Sequence, residues 1–140
     1  MKRRRRTEIL IQGDRRLARE LAESITAAYN CREISPPQQA MTMIKMRESA
    51  KNSLFYIGEV LITEVKVEIE GRIGIGIVAG IEEHLACQLA IIDAAYKAEL
   101  PETDGWEAQL EKEERSIGQA RAREQAELFE TKVSFETMEI

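Results

Sequence analysis

Glu59-Val60-Leu61-Ile62-Thr63-Glu64-Val65-Lys66-Val67-Glu68-Ile69 decides the fold class. Leu61, Thr63, Val65, Val67 and Ile69 fall on one face, and Val60, Ile62, Glu64, Lys66 and Glu68 on the other. A period of two with many β-branched residues marks a half-buried strand. Glu70-Gly71 follows with turn chemistry, so Ile73 to Val78 reads as the returning strand of a hairpin. The face bearing Glu64 and Lys66 is one that a helix or a partner subunit can cover.

Upstream, Met41, Met43 and Lys45 alternate against Thr42, Ile44 and Met46, which predicts a strand from Ala40 to Arg47. Glu48 to Ser53 is a polar connection. Pro36-Pro37 closes the region before it, because proline cannot continue a helix. In that region Leu17, Leu21 and Ile25 recur at helical spacing behind Asp14, a candidate N-cap. Gly13 separates this helix from a shorter helical turn over Thr7 to Gln12. Lys2 to Arg6 is expected to be a flexible, solvated basic tail, since no aromatic residue interleaves it.

Downstream the period becomes helical. Leu85, Leu89, Ile92, Tyr96 and Leu100 form a stripe over Glu82 to Glu99, which Pro101 stops. A polar helix is expected from Asp104 to Glu130, with Trp106, Leu110, Ile117 and Leu128 as a thin apolar stripe. Val133 and Phe135 alternate with Ser134 and Glu136, so Lys132 to Met138 reads as a final strand added to the sheet. The order gives an α+β fold: an antiparallel sheet with N-terminal helices, a middle helix and a long polar C-terminal helix.

A chain of 140 residues suits one domain, 1–140. With 44% hydrophobic and 32% charged residues the balance is globular, and the net charge of −5 gives no bias toward nucleic acid or anionic lipid. Ile9-Leu10-Ile11 is too short for a secretory leader, and no apolar run approaches a membrane span. Cys31 and Cys87 form no paired motif and fit a reducing cytoplasm.

The chemistry candidates are few. Gly74-Ile75-Gly76-Ile77-Val78-Ala79 matches a loose G-x-G-x-x-A, but its glycines alternate with isoleucines as in a strand. The following Glu82 and Glu83 would repel a pyrophosphate. Glycines on one strand face instead permit close approach of a helix or another subunit. His84 and Cys87 share a helical face, yet zinc needs at least a third protein ligand, which only Cys31 could bring by folding. Glu59, Glu64 and Asp93 lie near apolar runs; each is a candidate acid or base if buried, or a cap or surface residue if not. Met41, Met43 and Met46 are either an adaptable contact surface or core filler.

The ordered segments together resemble the PhnG family. Arg6-Thr7-Glu8-Ile9-Leu10 with Leu17-Ala18 and Leu21-Ala22 is similar to its helical start, and Pro37 to Arg47 to its first strand. Phe55-Tyr56-Ile57-Gly58-Glu59-Val60 with Thr63 resembles its Phe-x-x-Gly-Glu segment. Gly71, Gly74, Gly76 and Gly80 match its hairpin glycines, and Leu89 to Ala94 its alanine-rich helix with a central aspartate, Asp93. Thr131 to Met138, with Val133 and Phe135, resembles its closing Thr-Lys-Val-x-Phe-x-Thr-Met. Glu64, Ile81-Glu82 and Glu136 depart from the pattern, Glu64 where an arginine is expected.

The resemblance implies an accessory subunit of the carbon–phosphorus lyase complex with no catalytic or metal residue of its own. Phe55, Gly58, Glu59, Thr63, Gly74, Gly76, Gly80, Asp93, Val133 and Phe135 become positions of structural or interface interest. The implied partners are PhnI, PhnH, PhnJ and the ATPase-like PhnK and PhnL. With PhnI, PhnH and PhnL the family takes part in forming ribose 1-alkylphosphonate 5-triphosphate from ATP and an alkylphosphonate, releasing adenine. ATP, the iron–sulfur cluster and S-adenosylmethionine (SAM) then belong to the complex or its other subunits, and no cofactor is expected here. Self-association of the isolated chain is expected, with no nucleic acid or membrane partner. The alternative is a small nucleotide- or phosphonate-binding enzyme using Gly74 to Gly80 and His84.

Overall fold

The computed structural model describes residues 1–138, with side chains as far as Lys132. Its elements are α1 (Arg3–Gln12), α2 (Arg15–Ala28), β1 (Arg32–Arg47), β2 (Leu54–Ile69), β3 (Arg72–Ala79), α3 (Glu83–Lys97), a 3-10 turn (Pro101–Gly105) and α4 (Trp106–Met138). The strands form one antiparallel sheet in the order β1-β2-β3. The α+β class read from the sequence is the observed one.

The alternation over Glu59 to Ile69 sorts the residues as expected. Thr63, Val65, Val67 and Ile69 are buried, while Glu64, Lys66 and Glu68 are only partly covered. Glu70 and Gly71 both have positive φ, 49° and 79°, which lets a two-residue turn follow the right-handed twist of the strands. Ile69 then pairs with Arg72, and the hairpin runs to Ile62 opposite Ala79.

On β3 the glycines face inward and the isoleucines outward. A side chain at Gly74 would run into the Ala90 carbonyl and the Ala94 amide of α3; one at Gly76 would run into the Ala86 carbonyl. The helix backbone therefore lies directly on the strand backbone. Ala86, Ala90 and Ala94 complete this contact, all fully buried. Leu85, Leu89 and Ile92 then seal α3 against Ala18, Leu21, Ala22 and Ile25 of α2 and Ile9 and Leu10 of α1 in one core. Asp14 caps α2 as expected, its Oδ1 accepting the Arg16 amide at 2.9 Å.

Four sequence expectations are corrected. Residues 1–6 are not a flexible tail: α1 begins at Arg3, and Arg6 is buried. Arg5 and Arg6 are matched by acids far along the chain, Glu114 and Asp93. Pro36-Pro37 does not precede the strand but lies inside β1, at a register shift between Ser35 and Gln38. An edge strand tolerates proline there because one side of its ladder needs no donor. Leu128 is exposed and does not extend the apolar stripe of α4. Lys132 to Met138 is helical, the end of α4, and not a fourth strand. Continuing a helix adds one hydrogen bond per residue ordered, whereas a strand added beside β3 would meet side chains already bonded to Ile73 and Ile75.

Candidate functional site

A charge cluster centred on the buried Asp93 engages the edge of β3 at Ile73 and Ile75. The alternation of β3 turns the backbone groups of Ile73 and Ile75 outward, away from β2. Asp93 on α3 sits beside them at 4% exposure. Its Oδ2 accepts the Ile75 amide at 3.0 Å and lies 3.1 Å from Lys97 Nζ. Its Oδ1 lies 3.1 Å from Arg3 Nε and 3.2 Å from Arg6 Nη2. Arg3 also donates to the Ile75 carbonyl at 3.3 Å, and Lys97 to the Ile73 carbonyl at 2.9 Å. Three helix side chains thus occupy the Ile73 carbonyl and the Ile75 amide and carbonyl, groups that a strand added there would need.

Arg6 is itself 6% exposed, with its guanidinium 3.9 Å from the centre of the Tyr96 ring. Burial pushes the Arg6 guanidinium below its usual pKa, while the Asp93 charge pulls it back. Tyr96 meets Trp106 edge to face at 5.6 Å, tying the cluster to the start of α4. A carboxylate has about four lone-pair positions, and Asp93 engages three cations and one amide. Asp93 accepts hydrogen bonds from Arg6 and the Ile75 amide, with Arg3 and Lys97 at ion-pair distance, and so acts as a structural hub. Sequence reasoning left it either a candidate acid or base if buried, or a cap or surface residue if not. The available signal was Arg6 lying one helical turn before Ile9 and Leu10, on the same face.

Thr63 is a second buried polar group. Its Oγ donates to the Gly80 carbonyl at 2.7 Å and accepts the Glu82 amide at 3.3 Å, fixing the passage from β3 into α3. Gly80 has φ 84° and sends its amide to Leu61 O at 2.7 Å. Gly74 and Gly76 face the α3 backbone, leaving no space for a phosphate at those two positions. Glu82 pairs with Arg15 at 3.0 Å, and Glu64 lies 3.7 Å from Lys66 on the outer face of the sheet.

His84 is exposed, while Cys31 and Cys87 are half-buried free thiols, both pushed up in pKa chiefly by burial. Among the described residues no group of three His, Cys, Asp or Glu side chains is arranged to hold a metal ion. No described helix is long and apolar enough to cross a membrane. Val133 and Phe135 fall in the last turns of α4, and their side chains lie outside the described part.

Phe55, Gly58 and Glu59 belong to a different kind of feature. Beyond Ile62, β2 has no β3 beside it, and residues 41–61 form a two-stranded arm. Each strand of it is about 25 Å long at the usual rise per residue. The tip closes through the Glu48 amide to Ser53 O and the Asn52 amide to Glu48 O, both 2.8 Å. Met41 and Met43 are each 57% exposed and Phe55 46%, with Ile44, Met46, Leu54, Tyr56 and Ile57 also open. Of the two readings of the methionines, core filler is excluded, since all three are exposed. Ile57 is an extra residue on β2, between Gly58 opposite Ile44 and Tyr56 opposite Lys45.

The protein is thus a packed α+β body with a two-stranded arm whose apolar side chains are exposed. The model of the family described as phosphonate metabolism protein PhnG matches residues 1–139, and the chain belongs to that family. It is therefore a subunit of phosphonate metabolism that acts alongside other Phn proteins. Comparison with curated proteins gave no match.

Proposed function

We propose that this chain is an accessory, structural subunit of the carbon–phosphorus lyase core complex. In that role it works with PhnI, PhnH and PhnL as they form ribose 1-alkylphosphonate 5-triphosphate from ATP and an alkylphosphonate with release of adenine. PhnJ and PhnK are further partners of the same assembly. The membership of the PhnG family supports this reading. The observation that carries it is the arm, where eight large apolar side chains between Met41 and Ile57 are open to solvent. Such a surface is costly in water and is covered in a working assembly. The acids and glycines that looked like chemistry are committed to packing: Asp93 to the β3 edge, Gly74 and Gly76 to α3.

Co-expression with the cognate PhnI tests the proposal. The expected result is a co-purifying complex, with PhnI less soluble or less active when this chain is omitted. A PhnI that is soluble and fully active alone, and never co-purifies with the chain, overturns it. Isolated, the chain is expected to self-associate through the same uncovered surface; light scattering at high concentration reads this, and a clean monomer counts against it.

A further inference from the structure

Strand addition to the body of the sheet is obstructed at Ile73 and Ile75 of β3 and at Pro36-Pro37 of β1, and along the arm it is not. On the β3 side Asp93, Arg3 and Lys97 occupy the outward groups of Ile73 and Ile75. On the β1 side the body stretch carries Pro36 and Pro37 between register shifts, which interrupts any ladder an incoming strand could form. From Gln38 to Ile44, by contrast, β1 runs without a shift, paired only with β2. Its outer edge there is a continuous row of backbone donors and acceptors. Both faces beside that edge are apolar: Met41 and Met43 project to one side, Ile44 and Met46 to the other, all exposed. A flat partner surface would cover only one of these faces, so the arm calls for a cleft.

We propose that the arm is inserted into a cleft of a different polypeptide. An extended segment of that polypeptide pairs with β1 along Gln38 to Ile44, and acidic side chains in the cleft meet the arm's cations. The proposal rests on the subunit reading above and says which surface makes the joint. The charge of the arm selects the occupant. Lys45, Arg47 and Lys51 outnumber Glu48 and Glu59 there, although the whole chain carries a net charge of −5. An arm-to-arm pairing of two copies brings no acid beyond those each arm already holds. A second polypeptide with acids in an apolar cleft supplies what is missing.

The test uses the full chain co-expressed with PhnI, the same pair as above. Two arm variants are compared with the unaltered chain: K45E with R47E, and M43S with F55S. All four positions are exposed, so the far-UV circular dichroism melt of the isolated variants is expected to match the parent. Binding to PhnI is expected to weaken at least about tenfold in each arm variant. L128S with F129S, on the exposed end of α4, is expected to leave binding unchanged. If both arm variants bind PhnI as tightly as the parent, the docking site is elsewhere and the inference fails while the subunit reading stands. If the arm variants instead dissolve a homodimer and leave PhnI binding intact, the occupant is a second copy and the inference fails. If the unaltered chain does not bind PhnI at all, the subunit reading falls and the inference with it.

Discussion

From Ile62 to Ile69, β2 lies between β1 and β3, with its inward side chains buried under α3. From Leu54 to Leu61 the same strand has only β1 beside it, and most of its side chains are open. The two halves have similar composition, both rich in apolar and β-branched or aromatic residues. What separates them is the end of β3 at Ala79 and the start of α3 at Glu83. The body half is held by contacts within this chain. The arm half presents apolar surface that the described residues leave open.

Substitutions that break the body should therefore cost folding stability, and substitutions in the arm should not. The largest effect is expected for Asp93→Ala, which leaves Arg6 buried without its partner and the Ile75 amide unmatched. A loss of about 3–5 kcal/mol is expected, read from the urea unfolding midpoint. An unchanged midpoint would remove Asp93 from its place as hub. Next is Gly76→Ala, where the added methyl meets the Ala86 carbonyl. Lifting α3 off β3 should cost about 1–3 kcal/mol in the same assay.

Thr63→Val keeps the shape but leaves the Gly80 carbonyl and the Glu82 amide without their hydroxyl partner. About 1–2 kcal/mol is expected, measured by thermal unfolding. Acid should act more weakly. Asp14, bonded to Arg16, and Glu114, bonded to Arg5, are held below their ordinary pKa values of 3.8 and 4.5. A carboxylate depressed on folding stabilises the native state above its unfolded pKa. That contribution disappears as pH falls through the folded value. Melting temperature should thus drop modestly between about pH 5 and about pH 3, and the drop should shrink in D14N and E114Q. Smallest of all, Met43→Ser and Phe55→Ser should shift the stability of the isolated chain by no more than about 0.5 kcal/mol. A large loss from either would mean that the arm is part of the core, and the contrast between the halves of β2 would collapse.

The elements legible in the sequence were those whose partners are local. The hairpin turn at Glu70-Gly71, the cap at Asp14 and the helical stripe from Leu85 to Leu100 each depend on residues a few positions apart. The glycine face of β3 was recognised as a site of close approach, and α3 fills it. The basic start misled because Arg6 and Asp93 are far apart in the chain and meet only through packing. Pro36-Pro37 misled because a proline rule depends on whether a strand is central or at an edge, and that is a property of the assembled sheet. Val133 and Phe135 alternate over too few residues to separate a strand from the end of a helix.

By itself the sequence determined the α+β class, the hairpin and its inward face, and the resemblance to the PhnG family. Periodicity and ordered motifs are properties of neighbouring residues, so they survive without a structure. Only the tertiary structure decided that Asp93 is a buried hub, that side chains of α1 and α3 occupy the outer groups of Ile73 and Ile75, and that the methionines of the arm face solvent. Burial and pairing are set by what lies across the fold, and the alternation that hides Val65 and Val67 is the same grammar that leaves Met41 and Met43 bare.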